Sequence, residues 1–181
     1  MKIRFTIFDQ ADLKTMSAEE FEYSGAGLYG YFEICFGKHA EGQYYDFDIP
    51  EELVGGEDLE YWFSSLLNSL QLFQNEKTNY IAIRVIECAD RWIEIKKNCK
   101  KVYLNIAIAE NQGKLLNTSQ LRDFHYEPPL DAVENYDSFY QEIVRATAEF
   151  LKELKSFNPD LIKVSEFADL ENSLRELEHQ G

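Results

Sequence analysis

The stretch YIAIRVIECADRWIEIKKNCKKVYLNIAIA, residues 80–109, decides the fold. Ile81, Ile83 and Val85 recur at every second position, then Ile93 and Ile95, then Val102, Leu104, Ile106 and Ile108. A period of two is that of a strand with one buried face. It predicts strands over Tyr80 to Glu87, Arg91 to Lys97 and Lys101 to Ala109. The connectors Cys88-Ala89-Asp90 and Asn98-Cys99-Lys100 are too short for a crossover, so the three strands form an antiparallel meander.

Upstream, Ile3, Phe5 and Ile7 alternate with Lys2, Arg4 and Thr6, which predicts a first strand. Residues 10–24 are polar and irregular, with room for a helical turn over Met16 to Tyr23. Gly25-Ala26-Gly27 opens a second strand, Leu28 to Phe36, and Gly37 to Gly42 reads as a turn. A third strand, Gln43 to Ile49, directs Tyr45, Phe47 and Ile49 inward and Tyr44, Asp46 and Asp48 outward. Pro50 ends it. After Gly55-Gly56 the period changes: Leu59, Trp62, Phe63, Leu66, Leu70 and Phe73 mark the apolar stripe of a long helix.

Downstream, residues 110–130 are loop-rich, with a seventh strand expected at Gln120 to Tyr126 before Pro128-Pro129. Asp131 to Phe157 carries Phe139, Ile143, Ala146, Phe150 and Leu154 on one helical stripe. Asn158-Pro159 breaks it. Ser165 to Glu178 forms a last helix with Phe167, Leu170, Leu174 and Leu177 on its apolar side. The expectation is one α+β domain over residues 1–181. It has an antiparallel sheet of six or seven strands, one long helix after strand three, and two C-terminal helices packed on one face.

The chain has 181 residues, 45% of them hydrophobic, and a formal charge of −15. That apolar content supports a packed core in spite of the charge. The charge itself argues against binding nucleic acid or an anionic membrane, both of which need a basic patch. No stretch approaches the roughly 20 apolar residues of a membrane span. Met1 leads directly into Lys2-Ile3-Arg4-Phe5, without the apolar run of a signal peptide. The three cysteines, Cys35, Cys88 and Cys99, form no CxxC pair, which suits reduced thiols and a cytoplasmic protein. Cys35 and Cys88 are expected in or near the core. Cys99, among Lys96, Lys97, Lys100 and Lys101, has the one electropositive setting.

Between Lys38 and Lys77 the chain carries nine carboxylates and no Lys or Arg. Aromatic residues interleave them, so the segment is expected to fold and to project a rigid negative surface. Asp46, Asp48, Glu51, Glu52, Glu57, Asp58 and Glu60 are the candidate residues for binding a basic partner. The plainer account is a solvated face together with helix N-terminal chemistry, since Glu57, Asp58 and Glu60 fall where the helix dipole favours negative charge.

Other candidates are weaker. Asp123, His125 and Glu127 point to one side of an extended segment, as a metal or acid–base site requires, but a polar strand face explains them as well. Arg91, Lys96, Lys97, Lys100 and Lys101 gather around a hairpin tip, where lysines protect an exposed sheet edge. No cofactor signature is present: Gly25, Gly27 and Gly30 precede a strand rather than open a helix.

Three features carry a resemblance: the aromatic strand Tyr31-Phe32-Glu33-Ile34, the helix Leu59-Glu60-Tyr61-Trp62-Phe63-Ser64-Ser65-Leu66-Leu67, and the hydrophobic hairpins after it. With its acidic charge, the chain resembles the small α+β immunity proteins of bacterial polymorphic and contact-dependent toxin systems. The resemblance implies stoichiometric binding of a basic toxin, of which a nuclease with a cationic cleft is one kind, and no catalysis. Two alternatives stand beside it. One is an enzyme or small-molecule binder with a pocket between sheet and helices, using Tyr31, Glu33, Arg84, Arg91 and His125. The other is a regulatory protein that mimics nucleic acid.

Overall fold

Alternation of apolar and polar residues produces the strands where expected at both ends of the first hairpin. In the computed structural model β1 (Lys2–Ile7) pairs antiparallel with β2 (Tyr29–Phe36), with Ile3 opposite Ile34 and Phe5 opposite Phe32. The structure describes residues 1–45, 56–86, 88, 90–109 and 114–180, the backbone alone at 129–131 and 180. Between β1 and β2 lies α1 (Ala18–Ser24). β3 (His39–Gln43) completes the hairpin with β2. β4 (Glu57–Asp58) pairs with the other end of β2 and leads into α2 (Leu59–Gln74).

The meander follows as β5 (Tyr80–Arg84), β6 (Arg91–Asn98) and β7 (Lys101–Ile108). Then come β8 (Leu116–Asn117), β9 (His125–Asn135), α3 (Tyr136–Phe157) and α4 (Ser165–Gln180). The fold is α+β and its sheets are antiparallel, but the strands divide into two sheets rather than one. The first has the order β1-β2-β3 with β4 beside β2, and the second the order β8-β5-β6-β7-β9. The cause is local. β2 takes β4 and β3 in succession along one edge, and the chain then crosses through α2 to start a new sheet at β5.

Two strands lie elsewhere than the sequence suggests. The third runs over His39–Gln43, not from Gln43 onward. Gly42, which reads as a turn residue, sits inside the hairpin at φ 87°, where a Cβ would stand 2.2 Å from the Phe32 carbonyl oxygen. Residues 46–49 of the expected strand lie outside the described residues. The last strand covers His125–Asn135 and runs through Pro128 and Pro129 instead of ending before them. β9 is an edge strand, where a missing N–H costs no ladder bond on the open side. Its pairing with β7 also shifts register between Leu104 and Ile106, as at a bulge. The expected helix start at Asp131 therefore moves to Tyr136, where the Asn135 side chain accepts from the Asp137 and Ser138 amides.

The inner faces of both sheets share one apolar core with α2, α3 and α4. Its centre is aromatic. Phe63 stacks on Phe150 with ring centroids 4.4 Å apart, and meets Phe5 edge-on at 5.2 Å and Phe32 at 5.7 Å. Trp62 stacks on Phe32 at 4.8 Å. Among the described residues no helix is long and apolar enough to cross a membrane.

Asn158 does more than break α3. Its buried side-chain amide donates to the carbonyls of Leu13 and Met16 at 2.7 and 2.8 Å and accepts from the Asp160 amide at 2.9 Å. It thereby fixes the segment that leads into α1. Asn158→Ala strands two carbonyls, and urea unfolding should show a loss of ~1–3 kcal/mol.

Candidate functional site: an acidic cleft among three helix ends

The end of α1 and the starts of α2 and α4 converge. α1 begins with a capping box, in which the Ser17 side chain accepts from the Glu20 amide while the Glu20 carboxylate accepts from the Ser17 amide. It ends at Gly25, which adopts φ 64°, a left-handed conformation that glycine takes without strain. The next residues cross to β2, where Tyr29 is the register partner of Asp58. Asp58 caps α2 by accepting from the Tyr61 amide at 3.1 Å. Glu22 caps α4 from a distance, accepting from the Ser165 amide at 3.0 Å.

These ends enclose a cleft of about 170 Å³, lined by Glu22, Asp58, Glu60 and Glu166 over Phe21 and Phe167. Among the described residues no Lys, Arg or His lines it. Burial pushes the Glu60 carboxyl above its ordinary range, and the neighbouring charges of Asp58 and Glu166 act in the same direction; the hydrogen bond from the Ser64 hydroxyl, at 2.7 Å, opposes them. One exposed tyrosine, Tyr29, lies beside the lining residue Gly27, and another follows Glu22 in the chain. Tyr23 follows Glu22 on α1 and is 96% exposed. Tyr29 is 41% exposed, and its ring lies so close over Gly27 that a Cβ there would come within 2.7 Å of it. Carboxylates around an opening accept hydrogen bonds from a lysine or arginine. An exposed ring offers its face to the same cation.

The raised carboxyl has a consequence for stability. A native-state value above the unfolded one means that the folded chain binds the proton more tightly. The Glu60 contribution is therefore favourable at low pH and is lost as pH rises through the carboxylate range. Glu60→Gln should melt higher than the parent at neutral pH, and the difference should vanish in acid. Thermal unfolding across that range measures it.

Of the seven candidate residues, Asp58 and Glu60 line the cleft together. Glu57 does not face solvent: it is 8% exposed and accepts from the Trp62 indole at 2.8 Å. Asp46, Asp48, Glu51 and Glu52 lie outside the described residues. Glu22 and Glu166 join the site from distant parts of the chain. Glu166 is recognisable only as an acid in a helical first turn, and nothing in the sequence places Glu22 beside it.

The other candidates separate. Glu127 meets the Arg91 guanidinium at 2.6 Å, while Asp123 stands before β9 at φ 47°. Among the described residues no group of His, Cys, Asp and Glu could hold a metal ion. The basic cluster guards no edge, because β6 and β7 are interior strands. Three of its members, Arg91, Lys96 and Lys97, are engaged locally. Arg91 also pairs with Glu41 at 2.6 Å, and Lys97 donates to the last turn of α2 at the Phe73 carbonyl and lies 4.2 Å from the centre of the Tyr136 ring. Cys88 is exposed rather than near-core; Cys35 is half-buried and donates to Glu33 at 3.0 Å. Tyr31, Glu33 and Arg84 lie on strand faces turned away from the helices, since their neighbours Phe32, Ile34 and Ile83 fill the core.

Comparison with protein-family models, with curated proteins and with solved structures returns no match to this chain.

Proposed function

We propose that this is a non-catalytic binding protein of the immunity or inhibitor kind, which masks a basic partner by stoichiometric association. The observation that carries the proposal is the cleft of Glu22, Asp58, Glu60 and Glu166, lined by no cation among the described residues and with exposed Tyr29 beside it. Interfaces draw their affinity from a few aromatic and charged anchors in such pockets. A net charge of −15 steers a cationic protein toward the surface and speeds its encounter. The fitting partner is a basic toxin domain that presents a lysine or arginine to the cleft; a nuclease, whose phosphate path is cationic, has that character. In this role the protein acts in the cytoplasm and uses neither metal nor cofactor. Association rates measured against ionic strength test it: the on-rate for the partner should fall steeply with salt. A salt-independent on-rate would remove electrostatic steering and with it the proposal.

A further inference from the structure

β1 forms an edge of the first sheet: β2 pairs with it on one side, and among the described residues no strand pairs with it on the other. An edge strand leaves a row of backbone groups ready to pair with another chain. At Ile3 that row is closed by α3. The Glu142 carboxylate accepts from the Ile3 amide at 2.7 Å, and the Arg145 guanidinium donates to the Ile3 carbonyl at 3.3 Å. Backbone groups two residues apart along a strand point to the same side, so the Phe5 amide and carbonyl also point away from β2. There the row is open. The Phe5 carbonyl accepts from the exposed hydroxyl of the adjacent Thr6 at 2.9 Å. Among the described residues the Phe5 amide has no acceptor.

A groove of about 550 Å³ runs along this edge, between β1 from Met1 to Phe5 and the α3 side chains Glu142, Arg145, Glu149 and Glu153. Its charges are sorted along its length. α3 passes Ile3 at Glu142 and reaches Phe5 at Phe150, with the two rings 5.9 Å apart. Glu153, nearly one turn further, therefore stands at the Phe5 end, and Lys2 stands at the opposite end. The other cations are committed within the chain. Arg4 pairs with Glu33 at 2.5 Å and lies 4.6 Å from the centre of the Tyr44 ring; Arg145 pairs with Glu142 and Glu149 at 2.6 and 2.5 Å. Lys2 and Glu153 are exposed, and among the described residues neither forms an ion pair. Glu149 and Glu153 are like charges at i and i+4, a mildly unfavourable spacing that an incoming cation relieves.

We propose that this edge binds a second copy of the chain, with β1 pairing antiparallel to β1 across a two-fold axis at Phe5 and Lys2 of each copy meeting Glu153 of the other. A two-fold interface requires a surface complementary to itself. A groove that is cationic at one end and anionic at the other has that property when it is reversed, and antiparallel pairing reverses it. A basic or an acidic peptide would satisfy one end alone. Phe5 of each copy exchanges N–H and C=O bonds with Phe5 of the other, where the row is open, while Ile3 is already closed by α3. The contact does not use the acidic cleft and stands whether or not a basic partner binds there. The charge of −15 on each copy opposes association at low salt. The dimer is therefore favoured near an ionic strength of about 0.15 M, where repulsion beyond roughly 8 Å is screened.

Sedimentation equilibrium of the full-length protein at that ionic strength, from micromolar to millimolar concentration, tests the pairing. The parent should dimerise. Glu153→Lys should weaken the dimer about tenfold, because it turns two exposed ion pairs into two repulsions. That substitution also makes the chain less negative, so a general charge effect would strengthen association instead. Lys2→Glu combined with Glu153→Lys restores both pairs in the reversed sense and should dimerise like the parent. Both positions are exposed, and melting temperatures check that the fold persists. Hydrogen exchange at the Phe5 amide should slow as the dimer fills. Four results would overturn the proposal: a parent that stays monomeric throughout, a Glu153→Lys variant that dimerises as tightly as the parent, a charge swap that fails to restore the dimer, or a dimer that leaves exchange at Phe5 unchanged.

Discussion

Phe63→Ala should remove ~3–5 kcal/mol of folding free energy, the usual cost of deleting a fully buried aromatic ring. Whole domains are stable by only about 5–15 kcal/mol, so the variant should unfold at much lower urea concentration and melt far below the parent. The site justifies the upper half of the range. Phe63 is 0% exposed and touches Phe150, Phe5 and Phe32, which belong to α3 and to two strands of the first sheet. The hole would open where these elements meet, and none of them can collapse into it without disturbing the others. A denaturation midpoint close to that of the parent would mean that the three rings do not converge on this residue.

Replacing Glu60 and Glu166 together by lysine should weaken association with the basic partner by roughly a hundredfold or more. Breaking even one hydrogen-bonded charge pair at an interface costs ~2–5 kcal/mol, and here two attractions become repulsions. The pair leaves the scaffold standing. Asp58 keeps the cap on α2 and Glu22 the contact to the Ser165 amide. Each new lysine near a helix start costs only ~0.3–1 kcal/mol through the helix dipole. Far-ultraviolet dichroism and melting should therefore stay near those of the parent while binding collapses, as a titration calorimeter would record. Equal affinities would place the contact elsewhere on the molecule.

The two scaffolds behind these expectations differ in how far the sequence reveals them. Ile81 to Val85, Ile93 with Ile95, and Val102 to Ile108 announce their strands because one buried face imposes a period of two. The stripe of Leu59, Trp62, Phe63, Leu66, Leu70 and Phe73 likewise announces α2. Gly42 and Pro128-Pro129 mislead for a shared reason. Each residue type usually ends an element, and each is tolerated here by a tertiary circumstance: a close approach to the Phe32 carbonyl for Gly42, an edge position with a register shift for the prolines. The division into two sheets is invisible in the chain because strand alternation carries no information about which strands share hydrogen bonds.

The candidate site is legible only in part. Asp58 and Glu60 stand out within the acidic segment. Glu57 stands out equally and yet serves the Trp62 indole inside the fold, because at the short β4 strand one acid turns inward while the next caps the helix. Glu22 and Glu166 reach the cleft only because Phe21 on α1 packs against Phe167 on α4, with ring centroids 5.9 Å apart.

The most direct test uses the parent protein and the Glu60→Lys, Glu166→Lys variant as parallel baits in lysate of the native cell, at low and at high salt, with captured proteins quantified by mass spectrometry. The parent should retain one basic protein in near-equimolar amount at low salt and release it at high salt, and the variant should retain none. Capture of the same protein by both baits, or no stoichiometric partner on the parent at low salt, would contradict the acidic cleft as the binding site.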